Sequence, residues 1–264
     1  MASQDVAGFE VPVRPVEGPQ EPDERNLTLV EHLEELRRVV LISMVAWGVA
    51  TGLAFIFNHQ MIWVLERPLH LALGHTHSPF GQHVVVTSPI EGLSIPFKIA
   101  AAAGVVLSLP VTVWQIWGFV KPGLLHRERS YAFPFIFGTL FFFALGGVFA
   151  YFILPIGLTF LATFLGGNAV YLPDLNSYLS FFAIVVLVFG VTFELPVVLC
   201  TLGALGVVTS KRLRHWRKAA YFIIVGVSLL ITPGADPFTP TFLAVALFIL
   251  YEGSILVVSR ILHR

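Results

Sequence analysis

Three acidic positions in this chain have the side-chain type and surroundings to bind a cation. Glu35 belongs to Thr28-Leu29-Val30-Glu31-His32-Leu33-Glu34-Glu35-Leu36-Arg37-Arg38, directly before the first membrane-length apolar run. Glu128 stands in Leu125-His126-Arg127-Glu128-Arg129, between the second and third runs, and Glu194 lies alone inside an apolar segment. A carboxylate suits a guanidinium because the planar fork donates two parallel hydrogen bonds, which an ammonium cannot reproduce. Two separated carboxylates, Glu35 and Glu128, could therefore read two adjacent arginines. The competing reading is local pairing. Glu34 precedes Arg37 and Arg38 by three and four residues, Glu35 precedes Arg38 by three, and Glu128 lies between two arginines. Such solvated pairs contribute only about 0.2–0.5 kcal/mol each.

Glu194, in Phe189-Gly190-Val191-Thr192-Phe193-Glu194-Leu195-Pro196, poses a sharper problem. A charged carboxylate at mid-membrane costs about 2.5–3.5 kcal/mol to insert, so it must face a partner, line a watery cavity or carry a proton. The alternative is a protonated Glu194 bonded to a backbone carbonyl freed by Pro196. Glu252, in Leu250-Tyr251-Glu252-Gly253, is a weaker candidate of the same kind, because it lies near a helix end and can snorkel to the interface. His75 and His77 have no third ligand nearby and read as a polar turn rather than a metal site. The one cysteine, Cys200, excludes an internal disulfide and reads as a small apolar residue. The sequence contains no phosphate loop, serine-nucleophile motif or zinc-protease helix, so neither catalysis nor a cofactor is expected.

The elements that must hold these residues are membrane helices. The 264 residues are 56% hydrophobic and 12% charged, with mean hydropathy +0.82, more apolar surface than a soluble core of this size can bury. A crossing takes about 20 apolar residues. Six runs qualify or nearly qualify, at 39–57, 99–120, 132–154, 179–202, 219–231 and 238–258. They are continuously apolar, which argues against the alternation of a β-barrel. The expected fold is all-α and polytopic, with residues 1–25 as a flexible tail and 26–264 as the transmembrane domain. Basic residues cluster at 25–38, 121–129, 211–218 and 260–264, leaving only Arg67 and Lys98 on the opposite side. The positive-inside rule then places both termini in the cytoplasm. The 211–218 cluster reads as this orientation signal and a contact for anionic lipid.

Thr28 and Glu31 have capping-box spacing, so a helix should start there and run unbroken into the first span. Residues 58 to about 87 read as an external stretch. Ser88-Pro89-Ile90-Glu91 then carries an N-cap, a first-position proline and an acidic first turn. Pro96, Pro110, Pro134, Pro155 and Pro196 should bend their helices into a curved wall. Gly48 and Gly52 have the spacing of a close helix contact, a pattern that is also common by chance. The fifth run is about 13 residues, or roughly 20 Å, against about 30 Å of hydrocarbon. The turn at 232–237 should therefore sit below the membrane surface, where the bilayer thins or a partner covers the gap. On residues alone, a proton-coupled small-solute transporter using Glu194 and Glu252 stands as the alternative to a receptor for cationic peptides.

The ordered set His32-Leu33-Glu34-Glu35-Leu36-Arg37, Trp117-Gly118-Phe119-Val120-Lys121-Pro122-Gly123-Leu124, Glu128, Phe189 to Pro196, and Thr232-Pro233 with Asp236 resembles the TatC family of the twin-arginine translocase. The resemblance covers nearly the whole chain after residue 25. It implies a concave, glove-like receptor in the bacterial inner membrane for signal peptides bearing paired arginines, serving protonmotive-force-driven export of folded proteins. It places His32, Glu35, Arg37 and Glu128 in the signal-peptide site and Thr192, Glu194 and Glu252 in membrane-embedded partner contacts. Pro233 and Asp236 fall at the external turn. The implied partners are single-span TatA- and TatB-type proteins, the lipid bilayer and further copies of the chain, with no nucleic acid, nucleotide or metal. The longer tail, the His-rich loop and the His-Arg-Glu-Arg sequence at 126–129 depart from the family pattern.

Overall fold

The computed structural model describes residues 29–74, 85–120, 132–164, 174–232 and 236–260. Among these the chain is helical: α1 (Leu29–Ile56), α2 (Asn58–Leu73), α3 (Glu91–Val120), α4 (Ala132–Phe164), α5 (Leu175–Thr192), α6 (Leu195–Ala204), α7 (Ser210–His215), α8 (Arg217–Ile231) and α9 (Phe238–Arg260). Five stretches among the described residues are long and apolar enough to cross a bilayer: α1, α3, α4, α5 with α6, and α9. The fifth expected run, α8, has 15 residues and reaches about 22 Å, short of a full crossing. Its outward face carries Phe222 and Leu230, 82% and 86% exposed, a pattern that suits lipid and not water.

The core is formed by α2, α4, α5 and α9, where Leu69, Leu154, Phe189, Leu243, Leu247 and Ile255 are fully buried. α1 stands to one side and packs on α3. That crossing is set by Gly104 of α3, where an added Cβ would lie 2.9 Å from the Thr51 backbone N and Cα. Gly48 and Gly52 make no close approach of this kind, since a Cβ at either meets nothing within 4 Å among the described residues. Both glycines face away from α3, so their spacing marks no contact among the described residues. A second close approach joins α4 to α5, where a Cβ on Gly146 would lie 2.6 Å from the Phe189 carbonyl oxygen.

Residues 58–73, read from sequence only as an external stretch, form α2. Its Met61, Leu65, Leu69, Ala72 and Leu73 recur at helical spacing and pack into the core. Trp63 and Arg67 lie one turn apart, with the guanidinium carbon 3.7 Å from the ring centroid. Pro68 has no N–H to give the Val64 carbonyl, and Tyr151 of α4 donates to that carbonyl instead at 3.1 Å. Tyr178 of α5 donates to the next carbonyl, Leu65, at 2.7 Å. These two bonds pin α2 across the middle of α4 and the start of α5.

The third span runs ten residues past its expected end, because the apolar sequence continues through Pro155 to Phe164. The fourth breaks where proline demands it. Pro196 cannot donate to the Thr192 carbonyl, so α5 ends there, Glu194 N–H donates to Val191 three residues back at 3.1 Å, and α6 restarts.

The starts of α3 and α5 are tied together. Glu91 folds back so that its carboxylate accepts from the Thr87 backbone N–H at 2.9 Å and hydroxyl at 2.8 Å. Two residues before Thr87, the Val85 carbonyl accepts from Leu175 N–H at 3.0 Å, and Asp174 caps α5 by accepting from Ser177 N–H at 2.8 Å.

Candidate functional site

The charged segment and the first span are one unbroken helix, α1, as expected, so Glu35 has a fixed rotation relative to the membrane-crossing part. Thr28, the expected cap, lies outside the described residues. His32, Glu35 and Val39 follow at helical spacing on the side of α1 that meets α3. His32 stacks on Phe119, in the last turn of α3, with ring centroids 4.3 Å apart and planes 20° apart. Val39 is buried. Glu35, between them, is half-buried and makes no hydrogen bond or ion pair with any described residue. The local pairing weighed for Glu34 and Glu35 with Arg37 and Arg38 is not formed. Glu34, Arg37 and Arg38 instead rim a shallow hollow of about 430 Å³ floored by Leu41 and Ile42. Glu128 lies outside the described residues, in the segment that begins two residues beyond Phe119.

The membrane-embedded candidates do not form one cluster. Glu194 sits at the α5–α6 break with Thr139 of α4 hydrogen-bonded to its side chain, while its Oε1 is buried with no partner among the described residues. The neighbour that the structure gives Glu194 is thus a side chain on another helix, Thr139 of α4. Thr192 turns its hydroxyl back to the Val188 carbonyl at 2.6 Å, which blunts the end of α5.

Glu252 of α9 has partners that the sequence did not disclose. Arg217 forms an ion pair with its Oε2 at 2.5 Å, and the Tyr221 hydroxyl donates to its Oε1 at 2.5 Å. Arg217 and Tyr221 are four apart on α8, so one helix face presents both groups to one carboxylate. That spacing is visible in the sequence, but only packing reveals the acid opposite it. Tyr251 adds a bond from its hydroxyl to the Leu213 carbonyl at 2.9 Å, tying α7 to α9. Asp236, 4% exposed, accepts from Thr239 N–H at 2.6 Å and caps the start of α9. Pro233 lies outside the described residues, as do His75 and His77.

Residues 31–245 match the family model described as Sec-independent protein translocase protein (TatC). The chain belongs to the TatC family. It is 38% identical over 255 residues to the Sec-independent protein translocase protein TatC of Deinococcus radiodurans, a match that covers 95% of this chain and 92% of that protein. The TatC protein of Aquifex aeolicus is 35% identical over 234 residues, covering 87% of this chain and 93% of its own length. Among solved structures, a crystal structure titled as the twin arginine translocase receptor TatC superposes with TM-score 0.71 at 33% identity, covering 89% of this chain and all of that one. A second, titled as the same receptor in DDM, gives 0.72 at 34% identity, with 86% and 99% covered.

This TatC family member is thus a multi-pass protein of the bacterial inner membrane, in a family that transports proteins and catalyses no covalent reaction. Family membership does not favour a proton-coupled small-solute transporter. The pairing of Glu252 with Arg217 also supplies a packing reason for one of the two carboxylates on which that reading relied.

Proposed function

We propose that this TatC family member is the receptor of the twin-arginine translocase. It binds the Arg-Arg signal peptides of folded cargo at its cytoplasmic face and gathers single-span TatA- and TatB-type proteins, and further copies of itself, for export driven by the protonmotive force. The observation that carries this reading is Glu35: a half-buried carboxylate beside the stacked His32–Phe119 pair, with no cation on it among the described residues. An acid in that state is available to a guanidinium, and the same face of α1 points to the end of α3, from which the segment bearing Glu128 departs. Arg37 lies nearby on α1 and repels a wrongly placed second cation. Likeness to solved structures of a twin arginine translocase receptor supports the same reading.

The topology that suits this role has six crossings, with α8 as the short fifth, a concave wall bent at the prolines and both termini in the cytoplasm. The basic clusters, α7 among them, would then all face one side. Thr192, Glu194 and Glu252 serve the membrane-embedded surface that receives partner helices, and Pro233 and Asp236 shape the external turn.

The test is binding of a fluorescent signal peptide carrying Arg-Arg, against its Lys-Lys twin, to purified full-length chain in detergent. A charge-assisted bidentate bond is worth about 1.5–3 kcal/mol, so Glu35→Ala or Glu128→Ala should weaken Arg-Arg binding by roughly 10- to 150-fold. Unchanged affinity in both folded variants would remove the two carboxylates from the site.

A further inference from the structure

A groove of about 410 Å³ lies between α2, α3 and α5, lined on its three sides by residues that include Met61 and Val64, Ala102 and Ala103, and Phe182 and Ala183. We propose that this groove holds an acyl chain of an anionic phospholipid whose phosphate rests on Lys98. The site is separate from the Glu35 region and does not depend on the receptor reading.

Lys98 shares a face of α3 with Ala102, one turn away, and lies one turn nearer the start of that helix. Asn176, Ser180, Ala183 and Leu187 run down one face of α5 at the same helical spacing. The polar residues thus continue directly into the apolar lining. The Lys98 ammonium donates to Asn176 Oδ1 at 2.8 Å and to Ser180 Oγ at 3.4 Å. Both partners are neutral, and no described carboxylate pairs with Lys98. Glu91 is held by Thr87, and Asp174 is held by Ser177 through Oδ2, while its Oδ1 has no partner among the described residues and does not pair with Lys98. An ammonium has three donors, so Lys98 retains one for an incoming anion together with its full charge.

An exposed cation at the end of an apolar groove calls for one molecule with an anion joined to a hydrocarbon tail. Phospholipid bathes this face at all times and meets both demands. A partner helix fits less well. A helix would have to bring its own anion to the level of Lys98 to meet both demands, whereas a phospholipid carries one beside its tails by nature. Basic sites between transmembrane helices are a recurring mode of headgroup recognition. The clamp joining Glu91, Thr87, Val85 and Leu175 holds the α3 and α5 starts in register, so the cationic end is formed before lipid arrives.

The experiment is native mass spectrometry of the delipidated full-length chain in detergent with an equimolar mixture of dioleoyl phosphatidylglycerol and dioleoyl phosphatidylcholine. Wild type should retain one phosphatidylglycerol with about tenfold preference, Lys98→Arg should keep that preference and Lys98→Gln should lose it. Ala183→Phe, which fills the groove, should lower retention of both lipids. Equal retention of the two lipids by wild type, or a preference unchanged in Lys98→Gln, would overturn the proposal. So would glycerol phosphate, which lacks tails, competing as well as the whole lipid. A Lys98→Gln variant that keeps its lipid preference but loses affinity for the signal peptide would assign the groove to polypeptide instead. Thermal unfolding of each variant in the same detergent identifies any that fail to fold, and Lys98→Arg against Lys98→Gln, both surface changes, decides the matter without Ala183→Phe.

Discussion

Gly104→Ala and Gly48→Ala form a matched pair that isolates the α1–α3 crossing. Both replace a helical glycine by alanine, so both gain the same intrinsic helix preference of about 1 kcal/mol. They differ in what the new methyl meets. At Gly48 it meets nothing within 4 Å. At Gly104 it would lie 2.9 Å from two backbone atoms of Thr51, and restoring an ordinary contact of about 3.4 Å requires α1 to retreat by roughly 0.5 Å. Backbone cannot rotate aside as a side chain can, and overpacking of this type costs about 1–3 kcal/mol. Because the propensity gain cancels between the variants, Gly104→Ala should be less stable than Gly48→Ala by about 1–3 kcal/mol. Equilibrium unfolding in mixed micelles, with an SDS titration followed by circular dichroism, measures the difference. Equal midpoints, or a lower midpoint for Gly48→Ala, would refute the packing described for this face of α1. The result bears on the proposed function, because the same helix carries His32 and Glu35.

Four further outcomes can be checked. Glu252→Gln should cost at most about 1 kcal/mol in the same titration, since both partners of its ion pair are about a third or more exposed, and it should leave signal-peptide affinity unchanged, unlike Glu35→Gln. Tyr151→Phe should cost about 1 kcal/mol by orphaning the Val64 carbonyl, and adding Pro68→Ala should recover most of it by returning an N–H donor; a double-mutant cycle with zero coupling would count against the account. The Ser177 hydrogen bond holds Asp174 below the usual carboxylate range, so its cap is present at neutral pH and is lost as acid takes the pH down through that lowered pKa. First-turn amides of α5 should then exchange faster in acid, and Asp174→Asn, which keeps the acceptor, should remove the dependence. A spin label at Ala235 should be less accessible to aqueous relaxant than one at His59, if the turn after the 15-residue α8 lies below the surface.

The membrane helices were legible in the sequence because lipid imposes a length and forbids unpaired backbone, and neither demand depends on what a helix packs against. The Pro196 break was legible for the same local reason. The features that escaped are tertiary. Residues 58–73 have the apolar spacing of a helix, but Pro68 argues against one, and the objection is met only by a tyrosine on α4. Gly48 and Gly52 show the converse: spacing reports that two small residues share a face, not which way that face looks. Glu252 read as an isolated acid because its partners belong to a different helix.

That contrast bears on the two kinds of carboxylate in this TatC family member. Glu252 carries a cation of its own and draws α8 against α9, so its charge is satisfied within the chain. Glu35 carries none among the described residues, although Arg38 stands one turn away on the same helix. Helix geometry explains the difference. Glu35 is on the face that packs toward α3, near His32 and Val39, whereas Glu34, Arg37 and Arg38 rim a hollow of their own around the outer surface of α1. A local pair would need Glu35 to leave its half-buried position. On the proposed receptor reading, the acid on this face of α1 is therefore the one left for an arginine of the signal peptide. Moving the acid by one position, with Glu35→Ala and Leu36→Glu together, preserves net charge while turning it about 100° around the helix, so it should abolish Arg-Arg preference as fully as Glu35→Ala alone. Retained preference in that variant would mean that the charge of the segment, and not the face of α1, recognises the peptide.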